Sequence, residues 1–253
     1  MKILSFSNQK GGVGKTTSVL NVSAGLARKD KKVLAIDLDP QAHLTTGFGI
    51  SPYNCEVTVY DLLLNQYDCK DAVINLSNES GRLDLIPANI DLANVGFELI
   101  NEPGREYALK QKLDYQELDY DYILIDCPPS LDILTINSFT AATGIIIPIQ
   151  TEYFATHGIM QLLRVYEKVK DRLNGHLEIF GVLITLHDSR KIIHWEIAEA
   201  IIEKFGDKVF NTKIRNNISL VEAPSSKQDI FTYKNKSHGA EDYMALVDEI
   251  IRR

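Results

Sequence analysis

An apolar run, a glycine-rich loop and a helix-like stretch follow one another at the start of the chain. The run KILSFSN (2–8) has the composition of a buried strand, and TTSVLNVSAGLARK (16–29) has that of a helix. Between them lies QKGGVGK, whose three glycines allow the backbone to turn sharply where the strand ends. This order of strand, turn and helix restricts the chain to folds in which the two elements alternate.

Further strand-like runs alternate with helix-like stretches along the chain. They are mostly apolar throughout, as in strands that are buried on both faces of a parallel sheet. These runs are residues 31–39, 120–126, 144–150, 179–185 and the shorter 208–214. A helix is predicted at 156–174, and 83–88 is a candidate strand within 53–119, which otherwise predicts short helices. We therefore expect an α/β fold, a single doubly wound, mostly parallel sheet with helices on both faces, in one domain over residues 1–253.

Cysteine content and hydropathy narrow the classes of protein. The cysteines at 55, 69 and 127 form no C-x-x-C pair. Their spacing argues against a disulfide framework, a zinc site or an iron–sulfur cluster within one chain, and suits a reducing cytoplasm. No apolar run approaches the roughly 18 residues of a transmembrane helix. The first residues also lack the pattern of a secretory signal.

Charge is uneven along the sequence. The net charge of −7 argues against a protein coated in nucleic acid, but residues 211–238 carry five basic and two acidic side chains. The basic residues are Lys213, Arg215, Lys227, Lys234 and Lys236. Such a stretch is either a solvated face or a patch that binds an anionic partner.

The last predicted helix, AEDYMALVDEIIRR, is amphipathic. Its apolar face carries Tyr243, Leu246, Val247, Ile250 and Ile251, and its polar face carries Glu241, Asp242, Asp248 and Glu249. A helix that lies on a membrane surface would carry lysine and arginine on its polar face. We therefore expect this helix to dock onto the sheet.

The glycine-rich loop has the features of a phosphate-binding site. The backbone of Gly11, Gly12, Val13 and Gly14 can point N–H groups at phosphate oxygens, and the following helix adds a positive N-terminus. Lys15 is expected to reach the β- and γ-phosphates of the ligand. The Thr16 hydroxyl is expected to bind Mg²⁺, and Thr17 to donate to a phosphate oxygen.

Three carboxylates follow predicted strands. Asp37 and Asp39, in IDLDPQ (36–41), are two residues apart and share a side if the strand continues through both. Asp126 ends the apolar run of YDYILIDCPPS (120–130). Strand ends beside a phosphate loop can supply carboxylates to a metal or to water, although each acid could equally cap a turn.

The loop resembles that of a known family. The common pattern G-x-x-x-x-G-K-[ST] would place glycine where this chain has Gln9, and a second lysine, Lys10, precedes the glycine pair. The motif K-G-G-x-G-K-[ST] resembles the deviant Walker A loop of the ParA/MinD group of P-loop ATPases. The resemblance implies that Lys10 contacts the nucleotide of a second subunit in an ATP-bound homodimer. It also implies that Asp39 positions the attacking water, that Asp37 lies near the metal, and that Asp126 is the Walker B aspartate. Lys10, Lys15 and Asp39 would then be the catalytic residues.

Two later segments are similar to the chromosomal ParA, or Soj, subgroup: ITLHDSR (184–190) and IRNNISLVEAPS (214–225). The resemblance implies adenine contacts from Arg215 and Asn217 and a DNA contact from Arg190. Ser219 and Asn216 stand where relatives commonly have arginine, and each lost phosphate contact weakens DNA binding. The candidates that could compensate are Lys213, Arg215, Lys227, Lys234 and Lys236.

The resemblance implies a cytoplasmic, nucleoid-associated ATPase that uses ATP and Mg²⁺ and binds DNA without sequence preference. Hydrolysis would be slow alone and stimulated by a ParB-like activator, with no stable membrane association. Three alternatives stay open. They are a MinD-like ATPase that cycles on a membrane, a cluster-carrying relative with one thiolate from each subunit, and an ATPase of the same kind that positions a protein cargo.

Overall fold

A twisted sheet forms the centre of the molecule. The computed structural model describes residues 1–76, 81–114, 118–151 and 155–253. Within these ranges seven strands pair in the order β3-β4-β2-β5-β1-β6-β7, and only the β3–β4 pair is antiparallel. The strands are β1 Lys2–Phe6, β2 Lys32–Asp37, β3 Ile74–Asn75, β4 Arg82–Ile86, β5 Tyr122–Asp126, β6 Gly144–Gln150 and β7 Glu178–Thr185.

Helices connect the strands and cover the sheet. In the described ranges they are α1 Lys15–Ala27, α2 His43–Gly47, α3 Val59–Leu63, α4 Cys69–Ala72, α5 Val95–Glu98, α6 Ala108–Asp114, α7 Ile133–Ala141, α8 Ala155–Arg172, α9 Ile192–Phe205, α10 Ser219–Ser225, α11 Ile230–Lys234 and α12 His238–Arg252. The predicted short helices between 53 and 119 are therefore present. None of these helices combines the length and apolar content needed to cross a membrane, as far as the described residues go.

Side chains on the two faces of the sheet enter two separate hydrophobic clusters. In β1, Ile3 belongs to the cluster under α7 and α8, while Leu4 and Phe6 belong to the cluster under α1 and α12. This division follows from the alternation of side chains along a strand. It confirms the predicted doubly wound sheet with helices on both faces.

Strand register brings the predicted acidic residues to one edge. Phe6 at the end of β1 is level with Asp126 at the end of β5, and Asp126 is level with Asp37 at the end of β2. The strand order reverses around β1, whose neighbours are β5 and β6. In open parallel sheets, ligands bind beyond the carboxyl ends of the strands at such a reversal.

The predicted strand at 208–214 is wrong. Two isolated bridges, Val182 with Val209 and His187 with Arg215, are the pairing found there in the described structure. The backbone N–H groups of Asn211 and Thr212 donate instead to the Glu249 carboxylate of α12, at 2.9 and 3.1 Å. A ladder with β7 cannot continue where α12 takes these donors.

The acidic face predicted for the last helix is partly wrong as well. Tyr243 of α12 is buried, and its hydroxyl lies 3.0 Å from that of Ser18 in α1. Asp242 and Glu249, predicted on the polar face, are buried too. Asp242 binds the Arg215 side chain, and Glu249 holds the 211–212 backbone. Both carboxylates are compensated by hydrogen bonds, which is the condition for burying charge.

Candidate functional site

The loop between β1 and α1 has the backbone that its glycines predict. Gly12 and Gly14 adopt φ values of +74° and +85°, in the left-handed region where a Cβ is strained. Gly14 is also the residue that precedes α1, so the helix begins as soon as the loop has turned. The first turn of α1 is Lys15, Thr16 and Thr17, and its free N–H groups make this end of the helix positive.

Two side chains from distant parts of the chain hold the loop. Asn8 donates through Nδ2 to the carbonyl of Pro148 in β6 at 2.7 Å, and its Oδ1 accepts the Lys10 N–H at 3.0 Å. The Thr185 hydroxyl at the end of β7 donates to the Val13 carbonyl at 2.8 Å. The loop is therefore fixed to both strands on that side of β1.

The Lys15 side chain is folded into the loop. It is buried, and its Nζ donates to the Lys10 carbonyl at 3.3 Å. Burial lowers the pKa of the Lys15 ammonium, and the nearby carboxylates of Asp126 and Asp39 oppose that change. A desolvated cation held inside a glycine-rich loop suits a polyphosphate anion.

Asp126 is the most exceptional group of the site. Its side chain is completely buried, and neither oxygen has a hydrogen bond of good geometry among the described residues, although the Thr16 hydroxyl lies close enough to act on the carboxylate. Burial and then the Asp37 charge raise the pKa of Asp126 well above its usual range, while Thr16 and Lys15 oppose the rise. A buried carboxylate without donors is costly. A cation beside Asp126 and the Thr16 hydroxyl would remove the cost, so these residues fit Mg²⁺, a hard ion that prefers oxygen ligands.

Asp37 has a different environment from Asp126. Its Oδ2 accepts the Thr45 backbone N–H at 2.8 Å and the Thr45 hydroxyl at 2.7 Å, and its Oδ1 accepts the Asp39 N–H at 3.2 Å. Burial nevertheless raises the pKa of Asp37 to about 6. The carboxylate holds the start of α2, which makes Asp126 the better candidate for a metal ligand. The prediction of Asp37 near a metal rests on its level register with Asp126.

Asp39 and Lys10 lie at the rim of the site. Asp39 is 8% exposed, and its Oδ1 accepts the Gln41 N–H at 2.9 Å. Lys10 is partly buried, and Gly11 and Gly12 are exposed beside it. The position of Asp39 allows contact with a water molecule, and that of Lys10 allows contact with a second chain. Both roles stay predictions.

The side chains predicted to contact adenine are engaged elsewhere. The Arg215 guanidinium binds Asp242, with Nη2 at 2.6 Å from Oδ1, and reaches Glu241 at 3.0 Å. Asn217 accepts the Ser219 N–H at 2.8 Å and thereby fixes the start of α10. The Arg215 backbone N–H also donates to Asp242, at 2.9 Å, so a contact of residue 215 with a base would have to come from its backbone carbonyl.

The residues predicted to contact DNA do not form one cluster of unengaged cations. The Arg190 side chain is 87% exposed and binds Asp188 through two nitrogens, each at 2.9 Å. Lys213 lies over the Trp195 ring, 5.4 Å from its centroid. Lys227, Lys234 and Lys236 are exposed. Ser219 is buried and Asn216 is exposed, so an arginine would reach solvent more readily from position 216.

Sequence reasoning missed the residues that support the site. Asn8, Thr45 and Thr185 were not predicted to have a role. Asn8 lies two residues before the loop, where asparagine commonly bonds the backbone ahead of it, and this signal could have been used. Thr185 is 172 residues from its partner Val13, and nothing local marks it.

Cys127, the residue after Asp126, takes part in a buried polar contact. Its Sγ lies 3.2 Å from the Ser5 hydroxyl, which in turn accepts from Ser138 at 2.7 Å. Burial raises the pKa of the Cys127 thiol to about 11. The thiol therefore stays protonated and inert at neutral pH.

Comparison with known proteins agrees with this geometry. Residues 1–179 match the AAA domain family. The chain is 44% identical over 249 residues to the sporulation initiation inhibitor protein Soj of Bacillus subtilis, covering 98% of each chain. It is 40% identical over 255 residues to the chromosome partitioning protein ParA of Caulobacter vibrioides, covering 100% of this chain and 95% of ParA.

A solved structure shares the fold and is also clearly similar in sequence. Cobyrinic acid a,c-diamide synthase from Mycobacterium smegmatis, with a bound ATP analogue and magnesium, superposes with a TM-score of 0.87. It is 36% identical and covers 100% of this chain and 95% of its own. The loop contains two lysines, and the carboxylates of Asp37 and Asp126 stand side by side at the ends of neighbouring strands. Together with 40–44% identity to ParA and Soj over the full length, these features show that the chain belongs to the ParA/Soj family of P-loop NTPases.

Proposed function

We propose that residues 1–253 act as an ATP hydrolase of the DNA-partition type. The observation that carries the proposal is the buried Asp126 carboxylate, which has no hydrogen bond of good geometry among the described residues and lies close to Lys15 and the Thr16 hydroxyl. Such a group is expected where a cation and a polyphosphate bind together. The ATP analogue and magnesium in the related M. smegmatis structure support this assignment.

The loop residues divide the work of binding. The N–H groups from Gly11 to Thr17 surround the phosphates, Lys15 holds the β- and γ-phosphate oxygens, and Thr17 adds a hydroxyl donor. Thr16 and Asp126 would hold Mg²⁺, which supplies positive charge to the phosphate oxygens when it is bound. Asp39, at the rim, orients the water that attacks the terminal phosphate.

The second lysine makes hydrolysis depend on a dimer. In our proposal, Lys10 of each chain contacts the nucleotide of the other, as a cation supplied in trans can stabilise charge in phosphoryl transfer. Turnover is slow in the isolated protein, and a ParB-like activator accelerates it. Hydrolysis then releases the dimer from DNA.

DNA is the proposed anionic partner in the cell. Exposed Arg190, Lys227, Lys234 and Lys236 supply cations without an obvious device for reading bases, so binding would be independent of sequence and would fall with salt. The protein would then be cytoplasmic and associated with the nucleoid. The Arg190 guanidinium already forms an ion pair with the Asp188 carboxylate, which reduces its availability for DNA phosphate. This pair makes the positioning of a protein cargo the second candidate function.

A membrane-cycling function has less support. The apolar face of α12 is buried against α1, with Tyr243, Leu246 and Val247 inside the core. The exposed Glu241 and the half-buried Asp248 would be repelled by anionic lipid. We therefore propose no stable association with membranes.

The test uses the Asp39→Ala variant, which should retain ATP without cleaving it. Its binding to duplex DNA of random sequence is measured with ATP and with ADP, at low and moderate salt. We expect the variant to bind DNA in the presence of ATP but not of ADP, and we expect its affinity for DNA to fall steeply as the salt concentration rises. ATP-dependent dimerisation is measured in parallel by sedimentation.

Two controls separate the parts of the proposal. Lys10→Ala should bind ATP but fail to dimerise, whereas Lys31→Ala, on the surface before β2, should dimerise as the parent does. A Lys10→Ala protein that dimerises normally would remove the role in trans. If the ATP-bound dimer does not bind DNA at either salt concentration, the proposed partner is a protein cargo and not DNA.

A further inference from the structure

The exposed side of α9 carries apolar residues that the described structure leaves largely open to solvent. Ile192, Trp195 and Ile202 are 76%, 44% and 44% exposed, and they recur at the three- to four-residue spacing of one helix face. Glu196, Glu199 and Glu203 are exposed and lie on the same face. We call these six residues the α9 stripe. A surface helix normally turns such residues inward, and contiguous exposed apolar side chains mark interaction sites.

The charge of the stripe restricts what can cover it. Three glutamates alternate with the apolar residues, while Lys191 lies before the helix and Lys204 near its end, with Nζ 3.2 Å from the Met160 sulfur. DNA phosphates and anionic lipids would be repelled by these carboxylates. Two copies of the stripe would place glutamates against glutamates. An amphipathic helix with lysine or arginine beside its apolar face is complementary in both respects.

The inner side of α9 is tied to the nucleotide site. His194, one residue before Trp195, is buried, and its Nδ1 lies 2.7 Å from the hydroxyl of Thr151, just after β6. The same nitrogen accepts the Asp188 N–H at 3.0 Å, in the segment between β7 and α9. At the end of β7, Thr185 holds the phosphate loop through Val13. A partner that moves the start of α9 would therefore act on elements that fix the loop.

Trp195 itself connects the stripe to the segment after residue 213. Its ring lies edge-on to buried His187 at 5.0 Å between centroids, and Lys213 lies over its face. The His187 backbone bonds Ile214 and Asn216, at 3.0 and 3.1 Å. The stripe thus contacts the surroundings of both the phosphate loop and the predicted base-binding segment.

We propose that the α9 stripe is the docking surface for a basic amphipathic helix of the activator protein. This rests on the proposed function, in which a partner accelerates hydrolysis. Ile192, Trp195 and Ile202 receive the apolar face of the partner helix, and the three glutamates pair with its cations. The contacts of His194 and Thr185 carry the effect to the loop.

The probe is a synthetic helical peptide of about five turns, with leucines on one face, lysines elsewhere and no tryptophan. Trp195 is the one tryptophan of the chain, so its emission reports binding directly. We expect a saturable change in emission with this peptide and none with a counterpart in which glutamates replace the lysines. Glu199→Lys should weaken peptide binding about tenfold, because it turns attraction into repulsion at the centre of the stripe. Glu56→Lys, the same change on an exposed loop elsewhere, should leave binding unaltered.

Turnover separates this inference from the proposed function. The lysine peptide should raise ATP hydrolysis in the parent and in Glu56→Lys, but not in Glu199→Lys, whose basal turnover stays unchanged. Absence of any hydrolysis would contradict the proposed function. The emission titration would still decide whether the peptide docks on the α9 stripe. Equal binding of the acidic peptide, wild-type affinity in Glu199→Lys, or the same change in emission with anionic vesicles would overturn the docking proposal.

Discussion

Replacing Thr45 by valine should destabilise the protein through a buried charge. Valine keeps the shape of the side chain but removes the hydroxyl, which donates to Asp37 at 2.7 Å and accepts the Ala88 N–H at 3.0 Å. Asp37 and Thr45 are completely buried. Water therefore cannot replace either hydrogen bond without a rearrangement of α2.

The size of the effect follows from these two contacts. A hydrogen bond to a charged group contributes about 1.5–3 kcal/mol, and a buried donor without a partner costs about 1–3 kcal/mol. We expect Thr45→Val to lower the free energy of unfolding by about 3–5 kcal/mol near pH 8, where Asp37 is ionised. Thr45→Ser retains the hydroxyl and should lose about 1 kcal/mol, for the missing methyl group.

The pH dependence identifies the mechanism. Burial raises the pKa of Asp37 from 3.8 to about 6 in the folded protein. Protonated Asp37 therefore favours folding at low pH. This contribution is complete below the ordinary pKa and is lost as pH rises through the folded value. The lost Thr45 bond stabilised the charged form, so the difference between variant and parent should be larger near pH 8 than near pH 5.

Urea unfolding of the nucleotide-free protein at both pH values measures these differences. A loss in Thr45→Val that is the same at both values would show that the hydroxyl does not act through the Asp37 charge. A loss no greater than that of Thr45→Ser would show that the surrounding structure relaxes and satisfies the Ala88 N–H.

Four other substitutions separate ligand binding from stability. Asp126→Asn should raise the free energy of unfolding of the nucleotide-free protein by about 1 kcal/mol, because it removes a buried charge. The same change should reduce the rise in Tm that Mg²⁺ and ATP produce. Thermal melts in which the ligands raise the Tm as much as in the parent would contradict this. Lys15→Ala should weaken ATP binding by at least about 2 kcal/mol, for a charge-assisted contact, and an unchanged calorimetric Kd would exclude that contact. Arg215→Ala should cost about 2 kcal/mol, because the buried Asp242 carboxylate loses its side-chain partner. Arg190→Ala removes a pair that is exposed to solvent and should cost much less. Equal losses in urea would refute the difference in burial.

The central strands and the phosphate loop could be predicted from the sequence because their signals are local. The run 144–150 coincides with β6, and glycines stand where the backbone has positive φ. Asp126 could be predicted as a functional residue because it ends an apolar run. That its oxygens lack described donors depends on everything packed around it, which no local pattern reveals.

Long-range contacts account for what the sequence pattern missed. The run 208–214 has strand composition, but Glu249 from α12 takes the N–H groups that a strand would use. Asp242 looked like a surface residue because its partner Arg215 lies 27 positions earlier in the chain. The two-residue β3 was missed because a pair so short has no periodicity of its own.

The position of β1 determines how the nucleotide loop can be exposed. The strand has a partner on each side, and its side chains enter both hydrophobic clusters. Its amide hydrogens should therefore exchange with solvent only when the whole protein unfolds, whereas peripheral helices such as α4 can open locally. The loop is attached directly to this internal strand. Proteases that cut transiently opened segments should accordingly remove the periphery first and leave the phosphate-binding residues in one slowly exchanging piece.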